Sequence, residues 1–273
     1  MAPDSIVGSA SRRRSAAHLS WLGHSTVLVD LDGVRLLTDP VLRSRVAHLR
    51  RRQQRVDAAH YTNIDAVLVS HLHFDHLDPP SLEQLGNGIQ LVVPRGGGGL
   101  LRQRGFRRVA EVEVGEEIRI GALTVRPTYA EHNGTRLPFF GVSALTLGYT
   151  ITGSCRIYFA GDTDLFDGMA EIGRGLDVAL IPIWGWGPSA GRGHLDPRRA
   201  AEALRLLRPR LAVPIHWGTY APLGFGRLQT AMLADPVMAF RRHAAELAPE
   251  VDVQVLRPGG MLRLDAITGG APS

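Results

Sequence analysis

The chain has 273 residues, of which 44% are hydrophobic and 21% are charged, and these proportions are close to the globular average and argue against a disordered chain. No apolar run approaches the roughly 20 residues that a membrane-spanning helix requires, and the single cysteine, Cys155, excludes an internal disulfide. The net charge of +5 is carried by arginine without any lysine. We interpret the dense arginine stretch at 43–55 as solvated surface, with attraction to phosphates or to an acidic membrane surface as the alternative.

The two ends of the chain are predicted to lie outside the folded domain. Residues 1–17 are small, polar and basic, and no apolar stretch follows their arginines, so we interpret them as a flexible N-terminal tail and not as a secretory signal. Residues 18–266 are predicted to form a single domain because no linker divides them, and residues 267–273 to form a C-terminal tail. The absence of a signal and the single cysteine favour a cytoplasmic location.

Strand-like runs outnumber helical patterns along the chain. The dipeptide Asp32-Gly33 predicts a hairpin turn, and Asp196-Pro197 predicts a capped helix start. The predicted strands cover 19–22, 26–31, 34–38, 64–70, 89–93, 118–120, 123–128, 142–151, 156–160, 178–183, 211–215, 251–256 and 261–264. The predicted helices cover 80–85, 197–207 and 235–247. This order predicts an α/β fold in which two sheets pack face to face with the helices outside.

The stretch that carries the chemistry directly follows the apolar run at 67–69. Four ligand-type side chains lie within six residues: His71, His73, Asp75 and His76. A strand that ends in a sharp turn directs several side chains at one point, and neutral imidazole and carboxylate are ligands that zinc, manganese and iron accept. The cluster therefore predicts a metal site.

The order His-x-His-x-Asp-His resembles the signature of the metallo-β-lactamase superfamily. Three further residues stand in the expected order, namely His132 after a predicted strand, Asp162 in a Gly-Asp pair, and His216 after a predicted strand. The resemblance covers about 19–264 and implies the αββα sandwich of that superfamily, with two mixed sheets packed face to face.

The same resemblance implies two divalent metal ions held by seven side chains. These are His71, His73 and His132 on the first ion, Asp75, His76 and His216 on the second, and Asp162 as the bridge. A bridging carboxylate and a bridging hydroxide offset the repulsion of two cations about 4 Å apart. Zinc is favoured, with manganese or iron as alternatives.

Several neighbouring residues are candidates for orienting ligands or lining a pocket. Asp39, at a strand end, is interpreted either as a carboxylate that orients a ligand histidine or as a turn residue before proline. His24 is expected to border the metal pocket, and Asp78 to cap the helix at 80–85. Five aromatic residues in Gly/Pro-rich stretches are interpreted as an apolar pocket wall or as core packing. They are Trp184, Trp186, Trp217, Tyr220 and Phe225.

Longer stretches resemble one branch of the superfamily. The segments 21–26, 37–40, 181–183, 193–197 and 215–219 are similar to the branch of N-acyl-phosphatidylethanolamine-hydrolysing phospholipase D, which lies near the L-ascorbate-6-phosphate lactonases. The resemblance implies that His194 binds an oxyanion or protonates a leaving group, and the alternative is a histidine at a helix entry with no catalytic part. The chain departs from the branch at 130–134, where His132 is kept but its neighbours differ, and this puts a phospholipid substrate in doubt.

These observations predict a metal-dependent hydrolase that uses a metal-bridged hydroxide to cleave an ester. The candidate catalytic residues are Asp75 and His194. A phosphodiester is the first substrate class, in a small molecule or a phospholipid-like ester, and a lactone of a small molecule is the alternative. A di-iron redox protein and a non-catalytic scaffold of the same fold are further alternatives. No nucleic-acid partner is expected, and a homo-oligomer is an open possibility.

Overall fold

Two seven-stranded sheets form the body of the molecule, and a three-stranded sheet lies beside them. The structure is a computed structural model that describes residues 17–54, 56–136, 143–185, 193–224, 235–264 and 267. The predicted N-terminal tail therefore lies outside the described residues except for Ala17, and the C-terminal tail except for Ile267, so both tails stay predictions. No helix in the described ranges is long and apolar enough to cross a membrane.

The first sheet is built mainly by the N-terminal half of the chain. The elements there are β1 (His18–Gly23), β2 (Thr26–Leu31), β3 (Val34–Thr38), β4 (Arg45–Val46), β5 (Leu49–Arg51), a 3-10 turn (Ala58–Tyr61), β6 (Ala66–Leu68), α1 (Pro79–Glu83), β7 (Gln90–Pro94), α2 (Gly98–Arg102) and β8 (Arg108–Val112). The hairpin between β2 and β3 turns at Asp32 and Gly33, whose φ angles of 51° and 79° are the positive values that a tight hairpin turn needs. The β3, β6, β7 and β8 strands run parallel, and β6 is buried throughout.

The second sheet is built by the C-terminal half. The elements there are β9 (Ile118–Ile120), β10 (Leu123–Tyr129), β11 (Leu147–Thr152), β12 (Arg156–Phe159), α3 (Met169–Ile172), β13 (Val178–Pro182), α4 (Pro197–Leu207), β14 (Leu211–Ile215), β15 (Tyr220–Pro222), α5 (Asp235–Leu247), β16 (Asp252–Val253) and β17 (Gly260–Arg263). The strand order is β16-β14-β13-β12-β11-β10-β9, whereas β17 crosses over and pairs with β1 at the edge of the first sheet.

Three apolar layers hold the two sheets and their helices together. The middle layer joins the facing sides of both sheets and contains Trp21 and Leu36 from one sheet and Tyr149 and Phe159 from the other. A second layer packs α3, α4 and α5 against the second sheet, and a third packs α1 and α2 against the first. The layers are therefore helix, sheet, sheet, helix, and the predicted αββα sandwich is confirmed.

The boundaries differ from the prediction in several places. The strand predicted at 142–151 begins only at Leu147 within the described residues, and the strand predicted at 251–256 is reduced to β16. The β4, β5 and β15 strands, which form the small sheet, were not predicted, and neither were β8 and α3. The arginine stretch at 43–55 is thus partly strand, with Arg51 buried and Arg50 exposed.

Candidate metal centre

The predicted ligands lie where strands of the two facing sheets end. His71 follows β6, His132 follows β10, Asp162 follows β12, and His216 follows β14. Because the carboxyl ends of neighbouring parallel strands meet at one edge of a sheet, residues distant in sequence converge there. Seven predicted ligands lie in overlapping groups of side chains close enough to hold metal ions.

The first group consists of His71, His73 and His132. The Nε2 atom of His71 lies 3.0 Å from Nδ1 of His73, which lies 3.2 Å from Nε2 of His132. The far sides of two of these rings are fixed: His132 Nδ1 donates to the carbonyl oxygen of Gly193 at 2.7 Å, and His71 Nδ1 lies 2.9 Å from the Ser70 hydroxyl oxygen. These bonds orient the rings with their other nitrogens toward a common point.

The second group consists of His24, Asp75, His76 and His216. The Nε2 atoms of His76 and His216 are 3.3 Å apart, and Nε2 of His24 lies 3.1 Å from an Asp75 carboxylate oxygen. His24 has a φ of 54° and His216 one of 61°, so both stand in tight left-handed turns at strand ends.

Fully buried Asp39 and a backbone carbonyl support the second group. His76 Nδ1 donates to Asp39 Oδ2 at 2.7 Å, and His216 Nδ1 donates to the Trp184 carbonyl oxygen at 2.6 Å. Asp39 also accepts from the backbone nitrogen and the hydroxyl of Ser70, at 2.7 and 2.6 Å. Of the two interpretations of Asp39, this geometry matches the carboxylate that orients a histidine.

Asp162 lies between the two groups. Its Oδ2 is 3.3 Å from His76 Nε2 and 3.4 Å from His194 Nε2, and its Oδ1 is 3.3 Å from His216 Nε2. Oδ1 is buried, and no described residue gives it a hydrogen bond. Burial of an ionised carboxylate oxygen without a hydrogen bond is unfavourable unless a nearby positive charge stabilises it.

The two carboxylates of the centre are ionised, whereas its histidines differ among themselves in charge. Burial opposes the ionisation of Asp75 and Asp162, but neighbouring histidines outweigh it and hold the pKa of each carboxyl well below its usual value. Burial also disfavours a charged His76, yet Asp162 and Asp75 raise its pKa well above the usual 6.5. Burial lowers the pKa of His132 to about 4 and that of His216 to about 3, so both are neutral near pH 7.

The hydrogen-bond pattern fits metal ions in these groups. The single hydrogen of the Ser70 hydroxyl goes to Asp39, so His71 Nδ1 must donate to the Ser70 oxygen. In His71, His76, His132 and His216 the Nδ1 hydrogen is thus committed outward, and a neutral ring then presents the Nε2 lone pair inward. Nitrogens bound to a tetrahedral ion at 2.0–2.1 Å lie roughly 3.3 Å apart, which matches the observed separations of 3.0–3.3 Å.

His194, Trp217 and Trp184 differ in how they contact the metal centre. The Nε2 atom of His194 lies 3.4 Å from Asp162, and the His194 ring packs against the His132 ring with 4.6 Å between their centroids. Burial lowers the pKa of His194, but the hydrogen bond and negative charge of Asp162 have the larger effect and raise it. Trp217 stacks on Trp21 at 5.2 Å and packs against the core, and Trp184 contributes its carbonyl oxygen to His216.

The remaining aromatic candidates divide between described and undescribed parts of the chain. Tyr220 meets the His24 ring edge-on at 5.5 Å. Trp186 and Phe225 lie outside the described residues, so their predicted roles stay untested.

Asp78 does not act as predicted. It precedes α1, but its side chain does not cap the helix, and its carboxylate instead accepts two hydrogen bonds from Arg43 at 2.8 and 2.6 Å and one from Ser81 at 2.5 Å. The predicted cap is therefore wrong, because a guanidinium from elsewhere in the chain competes successfully with the local backbone. The bond ties the end of the metal-ligand loop to the chain that follows Val41.

Sequence reasoning missed three supporting residues. Ser70 joins Asp39 to His71, Gly193 offers its carbonyl to His132, and Asp164 accepts from the Gly193 nitrogen at 3.2 Å. Ser70 stands directly before the first ligand, which is a usable signal. The Gly193 carbonyl has no signature because every residue carries one.

Comparison with known proteins agrees with the fold and assigns the chain to a family. The sequence model of the beta-lactamase superfamily domain matches residues 34–217. A UPF0173 metal-dependent hydrolase of Methanopyrus kandleri is 31% identical over 246 residues, which is 88% of this chain and 97% of that protein. The N-acyl-phosphatidylethanolamine-hydrolyzing phospholipase D 1 of Caenorhabditis elegans is 34% identical over 235 residues, 77% of this chain and 66% of that protein. The chain belongs to the metallo-β-lactamase superfamily and is a metal-dependent hydrolase.

Solved structures share the fold at low sequence identity. Igni18, a metallo hydrolase from Ignicoccus hospitalis, superimposes with a TM-score of 0.69 at 24% identity and covers 91% of this chain and 98% of its own. CmlA, a diiron β-hydroxylase from Streptomyces venezuelae, has a TM-score of 0.71 at 20% identity, with 91% of this chain and 54% of its own covered. At these identities the likeness concerns the fold alone, and this fold serves both hydrolytic and redox chemistry.

Proposed function

We propose that the chain hydrolyses phosphodiesters with two divalent metal ions, zinc in the first place. The ligands would be the first group on one ion, Asp75, His76 and His216 on the other, and Asp162 between them. The observation that carries the proposal is that five histidine rings and Asp75 lie in overlapping groups around Asp162, whose buried Oδ1 receives no hydrogen bond from a described residue. The similarity to a phospholipase D supports the phosphodiester as substrate class.

The protein's own residues prepare the site for cleavage. Bound metal ions would supply hydroxide from water near neutral pH and polarise the ester oxygen. Asp39, Gly193 and Trp184 hold the ligand rings in one tautomer and one orientation, which removes the need to reorganise during the reaction. Asp75 is held ionised by its histidine neighbours and adds negative charge that favours a cation.

His194 is the proposed proton donor to the leaving oxygen. Its Nε2 faces Asp162, its side chain is 23% exposed and so reachable by a substrate, and its raised pKa favours the protonated form. A proton held at this atom can pass to an oxygen that acquires charge as the ester bond breaks. The opposite nitrogen, Nδ1, is buried, and no described residue bonds it.

The test is metal-dependent hydrolysis of a chromogenic phosphodiester. The purified protein is stripped of metal, reloaded separately with zinc and with manganese, and assayed beside His71→Ala and a matched control, His48→Ala. His48 is exposed and lies in the hairpin between β4 and β5, away from the ligand groups. We expect reloaded protein and the control to be active, and stripped protein and His71→Ala to be inactive.

Other outcomes redirect the proposal. Two bound ions per chain without turnover would overturn the phosphodiesterase and make lactones the next substrates to test. An intense visible absorption from the iron-loaded protein together with oxygen consumption would favour the redox alternative, since zinc gives no such spectrum.

A further inference from the structure

Asp164 lies two residues beyond Asp162 but belongs to none of the ligand groups. It is 5% exposed and accepts three donors: the backbone nitrogen of Leu165 at 2.8 Å, the backbone nitrogen of Gly193 at 3.2 Å, and the guanidinium of Arg199 on α4 in a close ion pair. Its own backbone nitrogen donates to the Glu131 carbonyl at 2.9 Å, one residue before His132. Asp164 therefore connects the loop after β12, the loop after β10 and the segment that leads into α4.

Gly193 is the point where these connections reach the metal centre. Its nitrogen is held by Asp164, and its carbonyl oxygen accepts the Nδ1 hydrogen of His132 at 2.7 Å. The next residue, His194, places Nε2 3.4 Å from Asp162. The position of this one glycine thus decides how both histidines meet the centre.

We propose that Asp164 is a positioning residue, which through Gly193 fixes the orientation of His132 as a metal ligand and the reach of His194. This inference rests on the proposed function for the role of His132 and His194. Arg199 completes the arrangement because it holds the carboxylate from the helix side. Asp164 acts through other residues, since its side chain bonds Leu165, Gly193 and Arg199 and it belongs to none of the ligand groups.

The carboxylate is required because each of its partners is a donor. An ionised aspartate offers acceptors only, so it satisfies Leu165, Gly193 and Arg199 together. An asparagine of the same shape presents an NH2 group to at least one of them, and one buried donor then loses its partner. The Gly193 nitrogen has the longest of the three bonds, so Gly193 and His194 are the residues expected to shift in the variant.

The chain offers a matched control for each partner. Asp177 is a more exposed carboxylate away from the ligand groups, which likewise accepts a backbone nitrogen, that of Arg156 at 2.8 Å, and pairs with an arginine, Arg210 at 3.7 Å. Arg198 precedes Arg199 on the same helix but pairs with Glu202 on its surface. The test compares Asp164→Asn with Asp177→Asn and Arg199→Gln with Arg198→Gln, and Asp164→Glu serves as the conservative variant.

Three readouts are taken on the full, metal-loaded protein. They are zinc affinity by competition with a chelator, the absorption spectrum after cobalt(II) substitution, and the midpoint of thermal unfolding. We expect Asp164→Asn to lower the affinity for one of the two ions about tenfold, the low end for loss of an outer partner of a metal ligand, and to change the cobalt spectrum. Arg199→Gln should act in the same direction, Asp164→Glu should restore most of the affinity, and both controls should keep the wild-type affinity and spectrum.

Two results would overturn the inference. In one, Asp164→Asn binds both ions as the wild type does, with or without a loss of thermal stability. In the other, Asp177→Asn weakens metal binding as much as Asp164→Asn, and the effect is then one of general stability. Wild-type protein that binds two ions but cleaves no phosphodiester defeats the proposed function and leaves this comparison intact, whereas wild-type protein that binds no metal defeats both.

Discussion

The two ligand groups of the centre contain different types of side chain. The first group contains imidazoles only, and the rings of His71 and His132 rest on neutral acceptors, a hydroxyl oxygen and a backbone carbonyl. The second group contains a carboxylate of its own, Asp75, and a second carboxylate, Asp39, supports His76 from behind. Asp162 lies in reach of both, but its two closest histidines, His76 and His216, belong to the second group.

Negative charge therefore favours cation binding in the second group, whereas ring orientation favours it in the first. The second group concentrates negative charge in a buried place, where electrostatic attraction is strong, so we expect it to bind an ion more tightly than the first. The first group depends on ring orientation, which the Gly193 carbonyl fixes. A side-chain substitution can remove a carboxylate, whereas a backbone carbonyl is disturbed only by a change that shifts the chain.

The largest expected effect comes from Asp39→Asn, which removes the charge behind His76. Burial raises the pKa of Asp39, yet the carboxylate accepts from His76 and twice from Ser70, and an amide cannot accept all three hydrogens. We expect the affinity for one ion to fall by about 10- to 100-fold, as for other outer partners of metal ligands. Competition between zinc and a chelator measures it.

A buried aspartate elsewhere in the first sheet provides the control for that substitution. Asp30 is 4% exposed and lies on β2, so Asp30→Asn also perturbs a buried carboxylate without touching a ligand histidine. Asp39 contacts His76 directly but reaches His71 only through Ser70, so the second ion should lose more affinity than the first. A larger loss for the first ion in Asp39→Asn, or the same loss in Asp30→Asn, would contradict the direct support of His76 by Asp39.

The next effect is a proton released when metal binds the second group. His76 has a pKa raised well above 6.5, so in metal-free protein it is charged near neutral pH and must lose a proton to offer Nε2. His132, with a pKa of about 4, is already neutral there. Below the raised pKa of His76, affinity for the second ion should rise about tenfold per pH unit, while affinity for the first stays level above about pH 5. Calorimetry in buffers of different ionisation enthalpy counts the proton.

The free energy of unfolding of the metal-free protein depends on pH through the same pKa shifts, and raised and lowered pKa values act in opposite directions. The stabilisation from charged His76 is complete below its unfolded pKa of 6.5 and is lost as pH rises through its raised folded value. For His132 and His216 the folded protein binds protons less readily than the unfolded chain, so stability falls as pH drops from 6.5 toward about 4 and about 3. Urea unfolding across pH 4–9 that shows no dependence would contradict both shifts.

The sequence predicted the metal-ligand side chains better than it predicted the groups that hydrogen-bond to them. His71, His132, Asp162 and His216 each follow a strand, and strand ends can be recognised from apolar runs. That these residues meet was implied by the resemblance to the superfamily. The carbonyl oxygens that orient two of the rings have no residue type that marks them. These two carbonyl supports therefore emerge only from the folded chain, whereas the support by Asp39 was among the interpretations of the sequence.

Long-range contacts explain the main errors in the fold. Asp78 precedes two prolines and satisfies the local rule for a helix cap, yet Arg43 takes its carboxylate. The β4 and β5 strands have two and three residues, too few for an alternating pattern, and the partner of β5, at Tyr220, lies far along the sequence. Neither the cap nor the small sheet could be decided from neighbouring residues, because tertiary partners determine both.

The smallest expected effect tests the backbone support of the first group directly. Gly193 has a φ of +96°, and a Cβ there would lie 3.3 Å from His132 Nδ1, so Gly193→Ala combines backbone strain with pressure on the ring. Gly33→Ala provides the matched control, since its φ is +79° and a Cβ there would meet nothing within 4 Å. Each variant should lose about 1–2 kcal/mol of unfolding free energy from the left-handed backbone. Only Gly193→Ala should also lower the affinity for the first ion severalfold, as measured by competition with a chelator, because only there does the added carbon lie against a ligand ring. If both variants bind the two ions alike, the Gly193 carbonyl does not limit the first group, and the difference between the two groups would lie in charge alone.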